Sequence, residues 1–212
     1  MSEKKTPTSE TEKIKRKIKE SVGKVIEDFK NNPFLFMSER DLQAHLFSLL
    51  RKNIDQQLEF SYKDNNYETN VINHKTSIIN TEYSHIDPGW KDFIDIVCLH
   101  PIKAKEAIET HPQEDKLNQY LWSLPVLAGI ELKLIRFDEN KGAEIGDNDE
   151  QKLKKFNEKY NKVREFVWLV LCFYQNKKHL KKLTGKELFN NEIRFNQIYL
   201  IGDEELYVRT RF

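Results

Sequence analysis

The apolar positions of this chain change period several times, and the changes divide it into elements. Between Glu12 and Phe29, Ile14, Ile18, Val22, Val25, Ile26 and Phe29 recur at helical spacing with Lys and Glu among them, which predicts an amphipathic helix. Its apolar stripe predicts docking on the chain's own domain. A spacing close to a short heptad leaves an oligomer seam as the alternative. Asn31-Asn32-Pro33 ends the helix. Ser38 then reads as an N-cap with Asp41 three residues on, followed by a helix over Glu39–Lys52 whose inner face is Leu42, Leu46, Leu49 and Leu50.

Residues 53–70 are polar and aromatic and show no clear period. Val71–Glu82 and Asp92–Leu99 are strand-like, and Asp87-Pro88-Gly89 between them is a turn signal, so the two predict an antiparallel hairpin. Residues 101–124, rich in Lys, Glu and Gln, read as an insertion. The run Val126–Ile135 is apolar apart from one Glu-x-Lys and predicts a buried strand. Asp138–Asp149 reads as a charged loop, and Asp149–Lys162 as a helix turning Leu153, Phe156 and Tyr160 inward. Glu165–Tyr174 is the most apolar, β-rich stretch and predicts a strand buried on both faces. A helical region over Lys177–Asn190, a strand over Gln197–Ile201 and an edge strand over Leu206–Arg211 complete the chain. This order predicts an α/β fold with a mixed central sheet flanked by helices. The expected organisation is a disordered tail over 1–11, an N-terminal helical appendage over 12–30, and one domain over 31–212.

Composition narrows this picture. A length of 212 residues suits one domain with a sizeable core. A formal charge of +1 gives no global pull toward nucleic acid or membrane, so phosphate binding has to come from local clusters. No apolar run reaches the roughly 20 residues that span a bilayer, and the first residues lack the apolar core of a signal peptide. Cys98 and Cys172 fall inside predicted core strands, which predicts reduced, buried thiols and a cytoplasmic setting. No Cys/His spacing resembles a zinc site.

The candidate chemistry lies in the two apolar strands. Asp95 stands alone among Phe93, Ile94, Ile96 and Val97, and Glu131 and Lys133 interrupt the Val126–Ile135 run. Charged groups avoid such places unless they are paired or bind a cation. Strand alternation puts Glu131 and Lys133 on one face, with Leu132 on the other. Two carboxylates and the Leu132 backbone carbonyl suit Mg²⁺ or Mn²⁺, which take hard oxygen ligands and keep several waters. Lys133 could orient or deprotonate a water, or offset charge on a phosphate; acting as the base would need a lowered pKa. The plainer alternative is an ion pair between Glu131 and Lys133 on a partly exposed strand.

This pattern resembles the PD-(D/E)xK nuclease superfamily, with Asp95 on the second strand and Glu131-Leu132-Lys133 on the third. Glu39 matches the acidic residue that many members carry on the first core helix, and Gln43 lies one turn on. Glu82, on the strand expected to pair with that of Asp95, is a possible accessory ligand. The helix opening Asp149-Glu150-Gln151-Lys152 falls where the family places polar or basic residues over the site, which singles out Gln151, Lys152 and Lys155. The resemblance covers about Glu39 to Ile201 in element order. Ile94 rather than Pro precedes Asp95, and the gap between Asp95 and Glu131 is long. The resemblance implies a restriction-endonuclease-like fold and Mg²⁺- or Mn²⁺-dependent hydrolysis of phosphodiester bonds, in DNA ahead of RNA, by an endonuclease that could act as a homodimer. Its alternative is a catalytically silent module of the same fold that binds nucleic acid or a partner protein.

Overall fold

The computed structural model describes residues 9–54, 56–63, 71–84, 91–110, 123–136, 142–175, 193–202 and 206–208. The first helix, α1 (Glu10–Asn31), is capped by Ser9, whose side chain accepts from Glu12 N. Its predicted stripe, Ile14, Ile18, Val22, Val25, Ile26 and Phe29, is buried in the same hydrophobic core as the strands. Phe29 meets Phe173 edge-on with ring centroids 5.0 Å apart. Two polar contacts fasten α1 to the second helix, α2 (Glu39–Asn53): His45 Nε2 to Asp28 Oδ2 at 2.9 Å, and Asn53 Nδ2 to Ser21 Oγ at 2.9 Å. The stripe therefore docks on its own domain.

At the start of α2, Ser38 Oγ accepts from Asp41 N at 3.1 Å, as an N-cap should. Asp41 returns the favour one residue further out, accepting from Met37 N at 2.9 Å. This cap fixes where α2 begins, and so where Glu39, its first residue, stands. Leu42, Leu46 and Leu50 are buried and Leu49 packs at the margin.

Strands β1 (Gln57–Lys63) and β2 (Val71–Ser77) form an antiparallel pair of their own. The main sheet has six strands in spatial order β3 (Ile79–Tyr83), β4 (Ile94–Leu99), β5 (Val126–Ile135), β6 (Val167–Tyr174), β7 (Gln197–Ile201) and β8 (Leu206–Val208). Pairings are antiparallel from β3 to β5, parallel from β5 to β7, and antiparallel again at β8. The sheet is thus mixed, and helices flank it. Helix α3 (Pro101–Thr110) lies within the predicted insertion. Helix α4 (Gly142–Phe156) runs into a π-helical turn, Asn157–Asn161, and joins the parallel strands β5 and β6.

Two expectations need correction. The run Val71–Glu82 is two strands in two sheets, broken at Ile78. Ser77, Ile78 and Ile79 are all buried, which strict alternation across one sheet does not allow, and Ser77 Oγ accepts from Ile79 N at 3.0 Å to hold the bend. The expected charged loop over 138–149 is helical from Gly142 onward. Gly146 makes this possible, since a Cβ there would meet Ile198 Cγ2 at 3.2 Å and Cys172 Sγ at 3.6 Å. Close packing on the sheet outweighs the weak helix propensity of the two glycines. The expected tail over residues 1–8, the turn Asp87-Pro88-Gly89, the helical region Lys177–Asn190 and residues 209–211 of the last strand lie outside the described residues.

The core behaves as the pattern requires. Every residue of β6 is buried, as a central strand between two parallel neighbours should be. Cys98 and Cys172 are both buried. Among the described residues no helix is long and apolar enough to cross a membrane. Among the described glycines the least room for a side chain is at Gly129 on β5, where a Cβ would lie 2.8 Å from Leu153 Cδ2 and 3.3 Å from Phe166 Cζ. Gly129→Ala should therefore lift α4 from the sheet and lower stability by about 1–3 kcal/mol, the usual cost of overpacking. Urea unfolding at constant m-value checks it, and a midpoint equal to wild type would show that Leu153 yields freely.

Candidate functional site

The site is assembled where α2 and α4 meet β3, β4 and β5. The β4–β5 register pairs Ile96 with Ile130 and Val97 with Gly129. One step further sets Asp95 opposite Glu131, so both carboxylates leave the same face of the sheet. Asp95 Oδ2 accepts from Leu132 N at 2.7 Å. In a strand the N–H and C=O of one residue point to the same neighbour, so the Leu132 carbonyl is directed toward β4 as well. The structure thus brings together Asp95, Glu131 and the Leu132 main chain, as the sequence suggested.

Glu131 is 0% exposed. Lys152 Nζ lies 2.7 Å from its Oε1, an ion pair. The contact is one of charge rather than of hydrogen-bond alignment: among the described residues neither oxygen of Glu131 accepts a well-formed hydrogen bond, and nor does Asp149 Oδ2. Burial pushes the Glu131 carboxyl well above its ordinary range, and the charges of Asp95 and Asp149 add to this against the opposing Lys152. Burial likewise raises Asp149, while Lys133 and Lys152 hold it down in part.

Lys133 does not pair with Glu131, which overturns the plainer alternative. Its ammonium lies 3.3 Å from Glu39 Oε1 and 3.8 Å from Asp149 Oδ2. Burial works to lower its pKa, but the surrounding Asp149, Asp95, Glu39 and Glu131 outweigh burial and hold it above the usual lysine range. Lys133 is therefore held as a cation by the carboxylates around it in the metal-free fold. Glu39 reaches it from the first turn of α2 and also accepts from Leu134 N at 3.4 Å, so its job is to hold Lys133 against β5.

Gln43, one turn along α2 from Glu39, ties two strands together. Its Nε2 donates to Glu82 Oε1 at 2.9 Å and to the Asp95 carbonyl at 2.8 Å. Glu82 has φ of 50°, a left-handed conformation unusual for a residue with a side chain, midway between the paired Thr81 and Tyr83. Such strain persists only where surrounding contacts impose it, and the Gln43 amide is the contact seen at its side chain.

Of the three candidates on α4, Lys152 reaches the site. Gln151 and Lys155 are exposed on the outer side of the helix. Asp149 was not singled out by the sequence reading, although it faces Lys133 and Lys152 in the cluster. The signal was present: Gly146, Asp149, Leu153 and Phe156 follow helical spacing, so Asp149 is a charge within the inward stripe. Reading residues 138–149 as a loop hid it.

The cluster holds five carboxylates, Glu39, Glu82, Asp95, Glu131 and Asp149, around two ammonium groups, Lys133 and Lys152. Among the described residues no three His, Cys, Asp or Glu side chains stand as a ready-made metal cage. Mg²⁺ does not need one, since it binds through one or two carboxylates and keeps its waters. The buried Glu131 oxygens without hydrogen bonds, beside Asp95 and the Leu132 carbonyl, fit such an ion. Comparison of the chain with protein-family models, with curated proteins and with solved structures finds no match in any of the three.

Proposed function

We propose that this chain is a divalent-metal-dependent nuclease with a restriction-endonuclease-like core, hydrolysing phosphodiester bonds in nucleic acid, DNA ahead of RNA. The observation that carries the reading is Glu131: a fully buried carboxylate without a well-formed hydrogen bond, opposite Asp95 and on the face that carries Lys133. A buried carboxylate in that state is costly unless a cation serves it, which the Lys152 ammonium does at 2.7 Å and a divalent ion would do at higher charge. The order of elements supports the same reading. A helix with Glu39 in its first turn precedes an antiparallel strand pair with Asp95. The Glu131-Leu132-Lys133 strand, α4 and a parallel strand follow.

In this reading Asp95, Glu131 and the Leu132 carbonyl would hold Mg²⁺ or Mn²⁺. The ion, when bound, would supply Lewis acidity at the phosphate and a more acidic water. Lys133 offers N–H groups and a positive charge to a phosphate oxygen as negative charge builds there. As the cation held in the metal-free fold, Lys133 would orient the attacking water and stabilise the phosphate. Glu39 positions Lys133, and Gln43 braces the Asp95 backbone against α2.

Calorimetric titration of Mn²⁺ into wild type and Asp95→Asn, with DNA cleavage followed on the same samples, tests the proposal. Wild type should bind and cut, and the variant should lose both. Nucleic-acid binding that is equal with and without metal, with no cutting, would place the chain with the silent modules of this fold. No binding by folded wild type would end the metal-nuclease reading.

A further inference from the structure

Lys152 is the one cation of the cluster whose position a metal would contest. Its Nζ sits among three oxygens from three stretches of chain: Glu131 Oε1 at 2.7 Å, the Phe93 carbonyl at 3.0 Å and Asp149 Oδ1 at 3.5 Å. That is an oxygen nest of the kind hard cations occupy, filled by an ammonium.

We propose that Lys152 is a resident substitute cation for Glu131, that a divalent ion displaces it, and that its freed ammonium then serves as a substrate phosphate ligand. The last step rests on the nuclease reading above. The displacement rests on the geometry. The contact with Glu131 is unaligned, so charge alone holds it. A divalent ion offers the same oxygen twice the charge at a smaller radius, and two cations on one buried carboxylate oxygen repel each other.

The two lysines differ in their freedom to respond. Lys133 projects from near the C-terminal end of β5 and is held by Glu39 and Asp149. Lys152 rides on α4, 18% exposed, with the exposed Gln151 beside it and Lys155 one turn on. Its flexible four-carbon stem lets the ammonium leave the nest for solvent or phosphate without moving the helix.

The test is lysine acetylation with an N-hydroxysuccinimide ester, read peptide by peptide by mass spectrometry, on full-length chain without metal, with saturating Ca²⁺, and with Ca²⁺ plus a short single-stranded DNA. Calorimetry on the same samples reports Ca²⁺ occupancy. Acetylation of Lys152 should be slow without metal, rise several-fold with Ca²⁺, and fall again when DNA is added, while Lys155 stays unchanged. In metal-free Glu131→Gln, Lys152 should already react fast. Ca²⁺ binding with no change at Lys152 overturns the displacement and leaves the nuclease reading standing. A rise that DNA does not reverse overturns the phosphate role. Absence of Ca²⁺ binding overturns this proposal together with the nuclease reading.

Discussion

Glu131→Gln is expected to abolish divalent-metal binding and to lower cleavage by about a thousandfold, while making the metal-free chain harder to unfold. In the nuclease reading proposed above, the loss would follow from removing the buried charge that would bind the ion, whose Lewis acidity would be worth several kcal/mol to phosphoryl chemistry. The gain follows from the same burial. In the metal-free fold Glu131 is fully buried with its pKa pushed up, so its ionised form is a burden on the native state. Gln keeps the shape without the charge. Lys152, already 18% exposed at the rim of the cluster, can turn to solvent, so it is not stranded.

The sign of the pH dependence is fixed by the direction of the shifts. Glu131 and Asp149 have folded-state pKa values above their unfolded ones. Their contribution to stability is complete below the unfolded values, near 4, and is lost as pH rises through the folded ones. Metal-free wild type should thus lose stability as pH rises from about 4 toward neutrality through these two groups. Glu131→Gln should flatten the decline, and at pH 8 should gain about 1 kcal/mol, or about 2–4 °C in Tm for a chain of this size. Thermal melts from pH 5 to pH 8 in chelator check this. A variant that melts lower than wild type at pH 8 would mean that the Glu131–Lys152 pair stabilises the fold more than its burial costs.

Lys133→Met should lower cleavage by about 100- to 1000-fold, the range for loss of one donor aimed at developing charge, and should leave metal binding intact or slightly tighter. Metal would bind in its absence because Lys133 touches neither Asp95 nor Glu131; its partners are Glu39 and Asp149. Tighter binding would follow from removing a positive charge from the cluster. The same substitution leaves Glu39 exposed to solvent rather than buried unpaired, since its side chain is 43% exposed, so the fold should survive. Single-turnover cleavage at saturating Mn²⁺ separates this from a binding defect. An unchanged rate would remove Lys133 from the reaction. A loss of metal binding instead would show that Lys133 shapes the Asp95–Glu131 pair.

How far the site could be read from the chain differs from residue to residue. Asp95, Glu131 and Lys133 announced themselves because a charge inside an apolar run contradicts its surroundings, and period-2 alternation placed Glu131 and Lys133 on one face. Glu39 was legible through its cap: Ser38 and Asp41 fix the start of α2, and the first residue of the helix follows. Lys152 could be proposed only as one of three neighbours, because the helical phase that turns it inward and leaves Gln151 and Lys155 outside is set by how α4 lies on the sheet. Asp149 was missed for a related reason. Two glycines and several charges read locally as a loop, whereas packing of Gly146 on Cys172 and Ile198 makes them the first turns of a helix.

From the chain alone follow the α/β class of fold and the three charges that interrupt its core strands, Asp95, Glu131 and Lys133, since hydrophobic periodicity is a local property of the chain. The pairing of these charges, and the burial of Asp149 among them, depend on the folded arrangement. Glu131 takes Lys152 rather than Lys133, Lys133 takes Glu39 and Asp149, and Gln43 joins Glu82 to the Asp95 backbone. These partners are separated by up to 94 residues. Coulomb energy depends on distance in space and on burial, so no local pattern could have assigned them.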